Sequence, residues 1–285
     1  LRYFQTAAYY QHISRAAEEL NISQPALSTM ISRLEKELGV PLFDHNGRSI
    51  ILNQNGQRFL QRVNHILMEV ENSKRELQDI ADEGDNSISL AVSSSQFLQG
   101  MHAFMYQHPN YKWNQRVAEN KEIAALLNRG QIDLAVTSPG IYGEVFESTL
   151  LLRDIFKLAV HKDNPLAQRK SVRLEELTDQ RFIMLLKGLP FRAQTDRIFA
   201  DLGITPHYIM ECDHLLRREL INANAGVTIA SQSASFRHLF SENIRFLDIE
   251  DVHHTRDIVM VHRKGRYLNR ASRQFADFLK QKFSP

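Results

Sequence analysis

Apolar positions fall three or four residues apart through roughly the first eighty residues, and beyond about residue 86 they gather into short continuous runs. The front of the chain therefore reads as helices, and the remainder as alternating strands and helices. Ser14 is placed to cap a helix whose apolar side is Ala16, Ala17 and Leu20, and Asn21 is at ease in the turn that follows. Ser23 caps the next helix, with Pro25 in its first turn, where a missing N–H costs nothing. Along that helix Ala26, Leu27, Met30, Ile31, Leu34 and Leu38 recur at helical spacing and are expected to form its buried stripe. Gln24, Ser28, Thr29, Ser32 and Arg33 are left facing outward. Gly39 suits the residue after the helix, and Asn46-Gly47 favours a type I′ turn between Leu42-Phe43 and Ile50-Ile51-Leu52. Two helices joined by a tight turn and followed by a small hairpin form a winged helix-turn-helix. DNA binding is the first hypothesis, although helix pairs of this kind also occur in proteins that never touch DNA.

On this reading the DNA-binding residues are Ser23 at the cap, Gln24, Ser28 and Thr29 toward base edges with Pro25 near a thymine methyl, and Arg33 and Arg48 at the phosphate backbone or the minor groove. Charge gives little help, since residues 1–60 hold six Lys/Arg against five Asp/Glu. Counterion release from one such head is modest, so a dimer is needed to double the phosphate contacts. Phe59, Val63, Ile66, Val70, Leu77 and Ile80, with Ser73 as the one polar member, alternate in steps of four and three, which describes a coiled-coil seam. The helix carrying it would be about 35 Å long. The alternative is a helix lying on its own domain's core.

Several spaced blocks in one order and register resemble the LysR-type transcriptional regulators: LRYF, RAAEELNISQPALS, LEKELGVPLF, the Gly-Arg of the wing, and NGQRFL. The likeness continues more weakly through ISLAV, LLNRGQIDLAV, HKDNPLA, AGVTIAS and RDIVMVHRKGR. Two departures stand out. Thr29 stands where the family frequently has Arg, and SQSAS follows GVTIA where Leu-Pro is common. The resemblance implies a winged helix-turn-helix over residues 1–57, a linker and dimerisation helix over 58–86, and a two-lobed, periplasmic-binding-protein-like effector domain over 87–285. It also implies that lobe I comprises 87–161 and 263–285 and lobe II 162–262, and that two dimers assemble into a tetramer on a two-fold-related DNA element.

The residues beyond 86 agree with an α/β region. Strands are expected at Ile88 to Val92, Ile132 to Val136, Phe156 to Val160, Phe182 to Leu186, Tyr208 to Glu211, Val227 to Ala230 and Ile258 to His262. Helices are expected at Phe97 to Gln107 and Tyr267 to Phe283, the latter with Leu268, Ala271, Phe275, Phe278 and Leu279 on one side. In such sheets ligands bind beyond the carboxyl ends of strands. Ser93, Ser94 and Ser95 follow the first strand, Thr137 and Ser138 the second, Leu186 and Lys187 end a strand of the other lobe, and Thr228 lies in the GVTIA block. A helix N-terminus beside Ser93 to Ser95 would favour an anionic or carboxylate ligand. Serines in that place also serve simply as helix caps.

With 285 residues, 43% of them hydrophobic, the chain supports a small domain and one or two larger ones. No run approaches the ~18 apolar residues of a membrane span, and no charged-then-apolar leader opens the chain, so a cytoplasmic location is expected. The sequence begins at Leu1, and a few residues of the first helix are expected to precede it. The single cysteine, Cys212, excludes an internal disulfide. No phosphate-binding loop, zinc-protease helix or nucleophile elbow is present, which argues against an enzyme and implies no cofactor. His253-His254 and Cys212-Asp213-His214 belong to no spaced set of four, so no metal is expected. Arg217-Arg218 and Arg263 to Arg266 read as solvated basic faces. The expected function is a DNA-binding regulator modulated by a small anionic effector between two lobes. The alternatives are a regulator without a metabolite effector, and an α/β ligand-binding protein or enzyme whose front domain serves only dimerisation.

Overall fold

The computed structural model describes residues 1–46, 49–80, 86–231 and 240–283. It divides into two compact units: Leu1–Asp85 with the short segments Asn128–Gly130 and Gly265–Asn269, and the rest of the chain.

The first unit contains α1 (Arg2–Tyr10), α2 (Ile13–Glu19), α3 (Gln24–Leu38), the hairpin β1 (Phe43–Asn46) and β2 (Ser49–Leu52), and α4 (Gln54–Ile80). Ser14 lies inside the first turn of α2. The cap is His12, whose Nδ1 accepts a hydrogen bond from the Arg15 N–H at 3.4 Å. Asn21 takes the left-handed conformation at φ 53°, and Ile22 N–H donates to Ala17 O at 3.0 Å, closing the turn. Ser23 Oγ then accepts from Ala26 N–H at 3.4 Å, with Pro25 in the first turn, and α3 stops at Gly39, φ 72°.

Ala7, Ala8, Ala16 and Ala17 let three helices approach closely around Leu27 and Ile31. The buried stripe of α3 is narrower than its periodicity suggests. Met30 and Leu38 are exposed and Ala26 and Leu34 half-buried, because the seven-residue α2 covers only part of the fifteen-residue α3. The hairpin pairs Asn46 with Ser49, so Asn46 ends β1 and is not one of the two residues between the strands. The turn itself, with Arg48, lies outside the described residues.

The seam expected on α4 divides in two. Val63 is fully buried in the helix-turn-helix core, and the Phe59 ring packs edge-on to Phe4 at 5.1 Å, so these two positions serve their own domain. Phe59 and the residues near it must dock because α4 begins directly behind the wing. Ile66, Val70, Leu77 and Ile80 remain exposed, by 46%, 48%, 67% and 74%. Further along, Asn72 is buried: its Nδ2 donates to Gly265 O at 2.6 Å and its Oδ1 accepts from Tyr267 N–H at 2.8 Å. Gly56 in the first turn has no alternative, since a Cβ there would lie 2.1 Å from Leu42 O.

The second unit has two lobes that share a long strand. In lobe I, β3 (Ser87–Val92) lies between β4 (Lys112–Val117) and β5 (Leu134–Thr137), all parallel, followed by β12 (Thr255–Arg263), antiparallel to β5, and β6 (Phe146–His161), antiparallel to β12. α5 (His102–Gln107), α6 (Asn120–Asn128) and the last helix, Arg270–Phe283, accompany this sheet. The last helix begins at Arg270, later than the expected Tyr267, and buries Ala271, Phe275 and Leu279, with Phe275 edge-on to Trp113 at 4.9 Å.

Strand β6 pairs with β12 from Phe146 to Ile155 and with β10 (Thr228–Ser231) and β11 (Ile244–Ile249) from Phe156 to His161. The chain therefore changes sheets at Ile155-Phe156 and returns at Thr255, each earlier than the expected crossings near 161 and 261. One unbroken sixteen-residue strand carries the first crossing, so no loop marks it in the sequence. Lobe II adds β7 (Ser171–Val172) beside β11, the parallel pair β8 (Phe182–Leu185) and β9 (Tyr208–Cys212), and helices α7 (Pro190–Asp201) and α8 (His214–Asn222). Strands β4, β7 and β11 carried no clear periodicity in the sequence; β4 is exposed along most of its length.

Candidate functional site

Two regions carry functional geometry, one in each unit. On α3 the side chains of Ser23, Gln24, Pro25, Thr29, Ser32 and Arg33 are exposed and Ser28 is half-buried. Gln24 Nε2 donates to Ser28 Oγ at 3.3 Å, and Thr29 Oγ1 donates to Pro25 O at 2.9 Å. Ser23 is engaged in capping, which leaves Gln24 and Arg33 as the long polar groups on this face. Such a face, at the amino end of the second helix of a helix-turn-helix, is suited to read donors and acceptors in a major groove.

The second region is a cleft in the α/β unit, where the carboxyl ends of β3, β5, β8, β9 and β10 converge. Strand order 4-3-5 reverses at β3, and a reversal of this kind opens a crevice beyond the strand ends. Two adjoining cavities of about 190 and 120 Å³ share Ser95, Phe191, His214 and Arg256. Arg217, Arg218, Gln96, Gln99 and Ser231 are among the other residues lining the first, and Ser93, Ser94 and Ser138 among those lining the second.

Positive charge dominates this cleft. Arg256 is buried, donates from Nε to Ser138 Oγ at 3.2 Å, and lies with its guanidinium carbon 4.8 Å from the centre of the Phe191 ring. Arg217 is also buried, donates to Ile229 O at 3.3 Å, and sits 5.5 Å from the same ring. Burial pushes both guanidiniums down to about 10, Asp154 opposing the effect at Arg256, so both stay charged at neutral pH. His214 follows the Asp213 cap of α8, whose carboxylate accepts from Leu215 N–H and Leu216 N–H at 2.8 and 2.9 Å. Burial, then Arg217 and Arg256, hold the imidazole down at about 4, so it is neutral, and its buried Nδ1 has no partner among the described residues.

The serine and threonine positions read from the sequence are sorted by this geometry. Ser93 Oγ accepts from Ser138 N–H at 3.0 Å, tying two strand-end loops together at the cleft's edge, and Ser94 Oγ accepts from Gln96 N–H at 3.4 Å, capping the short turn that follows. Ser95 lines both cavities. Thr137 is wholly buried at the end of β5 and lines neither cavity. Leu186 and Lys187 are exposed and line neither; the chain turns, and Leu189, Pro190 and Phe191 at the start of α7 face the cleft instead. Thr228 begins β10, buried, its hydroxyl donating to Ile183 O at 2.8 Å, while Ser231 at the other end of the strand reaches the cleft.

The helix expected over Phe97 to Gln107 is also corrected. It is a four-residue 3-10 turn, Ser95–Leu98, separated from α5 by Gly100 at φ 79°, so no long helix aims its dipole at Ser93 to Ser95. The guanidiniums supply the positive field instead. Sequence reading missed Arg217 and Arg256, yet a signal existed for each: Arg217 lies four residues before the buried Ile221, and Arg256 alternates with Ile258 and Met260.

Residues 1–57 match the family described as "Bacterial regulatory helix-turn-helix protein, lysR family", and residues 82–284 match "LysR substrate binding domain". The chain belongs to the LysR family of transcriptional regulators. It is similar to the HTH-type transcriptional regulator YybE of Bacillus subtilis, at 31% identity over 100% of this chain and 98% of the relative. It is also similar to the RuBisCO operon transcriptional regulator of Allochromatium vinosum, at 24% over 98% and 94%. Its fold matches a full-length OxyR variant from Pseudomonas aeruginosa with a TM-score of 0.66 at 19% identity, covering 99% of this chain and 92% of that one. Full-length CbnR complexed with its target DNA gives 0.58 at 21%, covering 100% and 98%. This LysR-type regulator is thus not an enzyme: it pairs a DNA-binding helix-turn-helix with an effector-binding domain. No helix among the described residues is long and apolar enough to cross a membrane.

Proposed function

We propose that this LysR-type regulator reads a two-fold-related operator as a dimer and that a small anionic effector, seated in the α/β cleft, modulates its promoter output. Gln24, Ser28 and Thr29 face base edges with Pro25 beside a thymine methyl, Ser23 caps the helix at the DNA surface, and Arg33 and Arg48 contact the backbone or minor groove. Support for this half comes from the exposed polar face of α3. The exposed remainder of the seam, Ile66, Val70, Leu77 and Ile80, holds the dimer, and two dimers form a tetramer on DNA. The protein works in the cytoplasm.

The effector half rests on one observation: Arg217, buried in the cleft, has no carboxylate partner among the described residues. A buried cation without a counter-charge is costly unless a ligand supplies one, which favours an effector over a regulator whose cleft is vestigial. Ser95 and Arg256 contact the same ligand, and Ser93, Ser94 and Ser138 shape its edge.

Binding of the purified protein to its own upstream intergenic DNA, by footprinting with excess competitor at physiological salt, tests the first half. A protected two-fold site is expected; only salt-sensitive nonspecific binding would sink the operator reading. Thermal melting against small carboxylates tests the second, since a ligand at 100 times its dissociation constant adds about 2.7 kcal/mol. Operator binding with no response to any anion would leave a constitutive regulator.

A further inference from the structure

The cleft assigned to an effector also carries information about that effector's charge. Three guanidiniums line it: Arg217, Arg218 and Arg256. Among the described residues only Arg256 faces a carboxylate, that of Asp154, its cross-strand partner on β6, which also accepts a hydrogen bond from Ser231 Oγ. Arg217 and Arg218 form no ion pair among the described residues, and the Arg217 Nε is a buried donor with no acceptor. The remaining polar lining is Ser95, Gln96 and Gln99, all neutral, together with a neutral His214.

Among the described residues, two positive charges therefore stand uncompensated on adjacent residues of α8, one buried against the Phe191 ring and one half-buried. A monoanion leaves one of them without a counter-charge inside a cavity where cations are poorly solvated. Resting on the anionic-effector reading above, we infer that the cleft recognises a compact dianion, held by Arg217 and Arg218 together and closed by Arg256. Dicarboxylates and phosphoryl compounds share this chemistry.

The test uses the full-length protein at constant ionic strength and pH 7.5, with saturable binding measured calorimetrically for malonate, succinate and orthophosphate against acetate and butyrate. At least one dianion is expected to bind ten times or more tighter than either monocarboxylate, and whether the dicarboxylates or phosphate leads identifies the source. Arg218→Gln, at a half-buried position where folding is tolerant, is expected to reduce that preference at least tenfold; Arg217→Gln does the same where it folds. Equal affinity for mono- and dianions, or a preference unchanged in Arg218→Gln, overturns the dianion inference and leaves the anionic effector standing. If none of the five anions binds to protein that still protects its operator, both the inference and the anionic-effector reading fall.

Discussion

His214 makes the stability of this regulator depend on pH in a direction fixed by its surroundings. Buried beside Arg217 and Arg256, the imidazole titrates at about 4 in the folded protein, against 6.5 when exposed. Below pH 6.5 the unfolded chain gains a proton there that the folded protein does not accept. Stability is therefore fully present above about 6.5 and is lost progressively as the pH falls toward 4. A midpoint displaced that far corresponds to about 3 kcal/mol, with some 2 to 3 kcal/mol lost by pH 4.5. Urea denaturation at intervals from pH 7 to 4.5, on the wild type and His214→Gln, isolates the effect, because carboxylate titrations common to both proteins cancel in the difference. The variant is expected to lose less stability than the wild type by that amount. Parallel profiles, within about 0.5 kcal/mol across the range, would refute the reasoning. A bound anion should shrink the difference, because a negative charge beside the imidazole favours its protonated form.

Gly56→Ala forces a Cβ to within 2.1 Å of Leu42 O and should cost about 3 kcal/mol in urea or several degrees of melting temperature. Val70→Glu with Leu77→Glu places charge on the exposed part of α4, and light scattering should then show monomers with unchanged circular dichroism; an intact dimer would place the interface elsewhere. Lys282, whose ammonium donates to Phe97 O at 3.1 Å and to Gln99 O, is pushed by burial down to about 8 from 10.5. The unfolded chain holds more protons between those values, so wild-type stability should rise by up to about 3 kcal/mol from pH 8 to 10.5, and Lys282→Met should lack that rise.

Much of the first unit was legible because local rules act alone there. Ser23, Pro25, Asn21 and Gly39 each occupy the turn or cap their chemistry prefers. Periodicity failed where a side chain's fate depends on a distant partner: Phe59 and Val63 keep the seam spacing but are claimed by Phe4 and the helix-turn-helix core. The cleft was harder. A strand's carboxyl end is readable, so Ser93, Ser95 and Ser138 were found, but which residue after β8 or along β10 reaches the crevice depends on how the chain turns after the strand and which way the strand runs. The basic pair on α8 looked like a solvated face because buried arginine is rare.

The placement of charge also changes what the composition means. The chain carries a formal net charge of +2, a surplus that invites a nucleic-acid reading. Residues 1–60 carry only half of it, and Arg217 and Arg218 place two positive charges in the α/β cleft with no ion-pair partner among the described residues. A nearly neutral reading head gains little from phosphate neutralisation, so under the proposed function affinity comes from base-edge contacts along α3 and from doubling the head in the proposed dimer. Under the proposed function, weak nonspecific binding at each head would let a modest effector-driven change in the proposed dimer separate bound from unbound states, since little sequence-independent affinity opposes release.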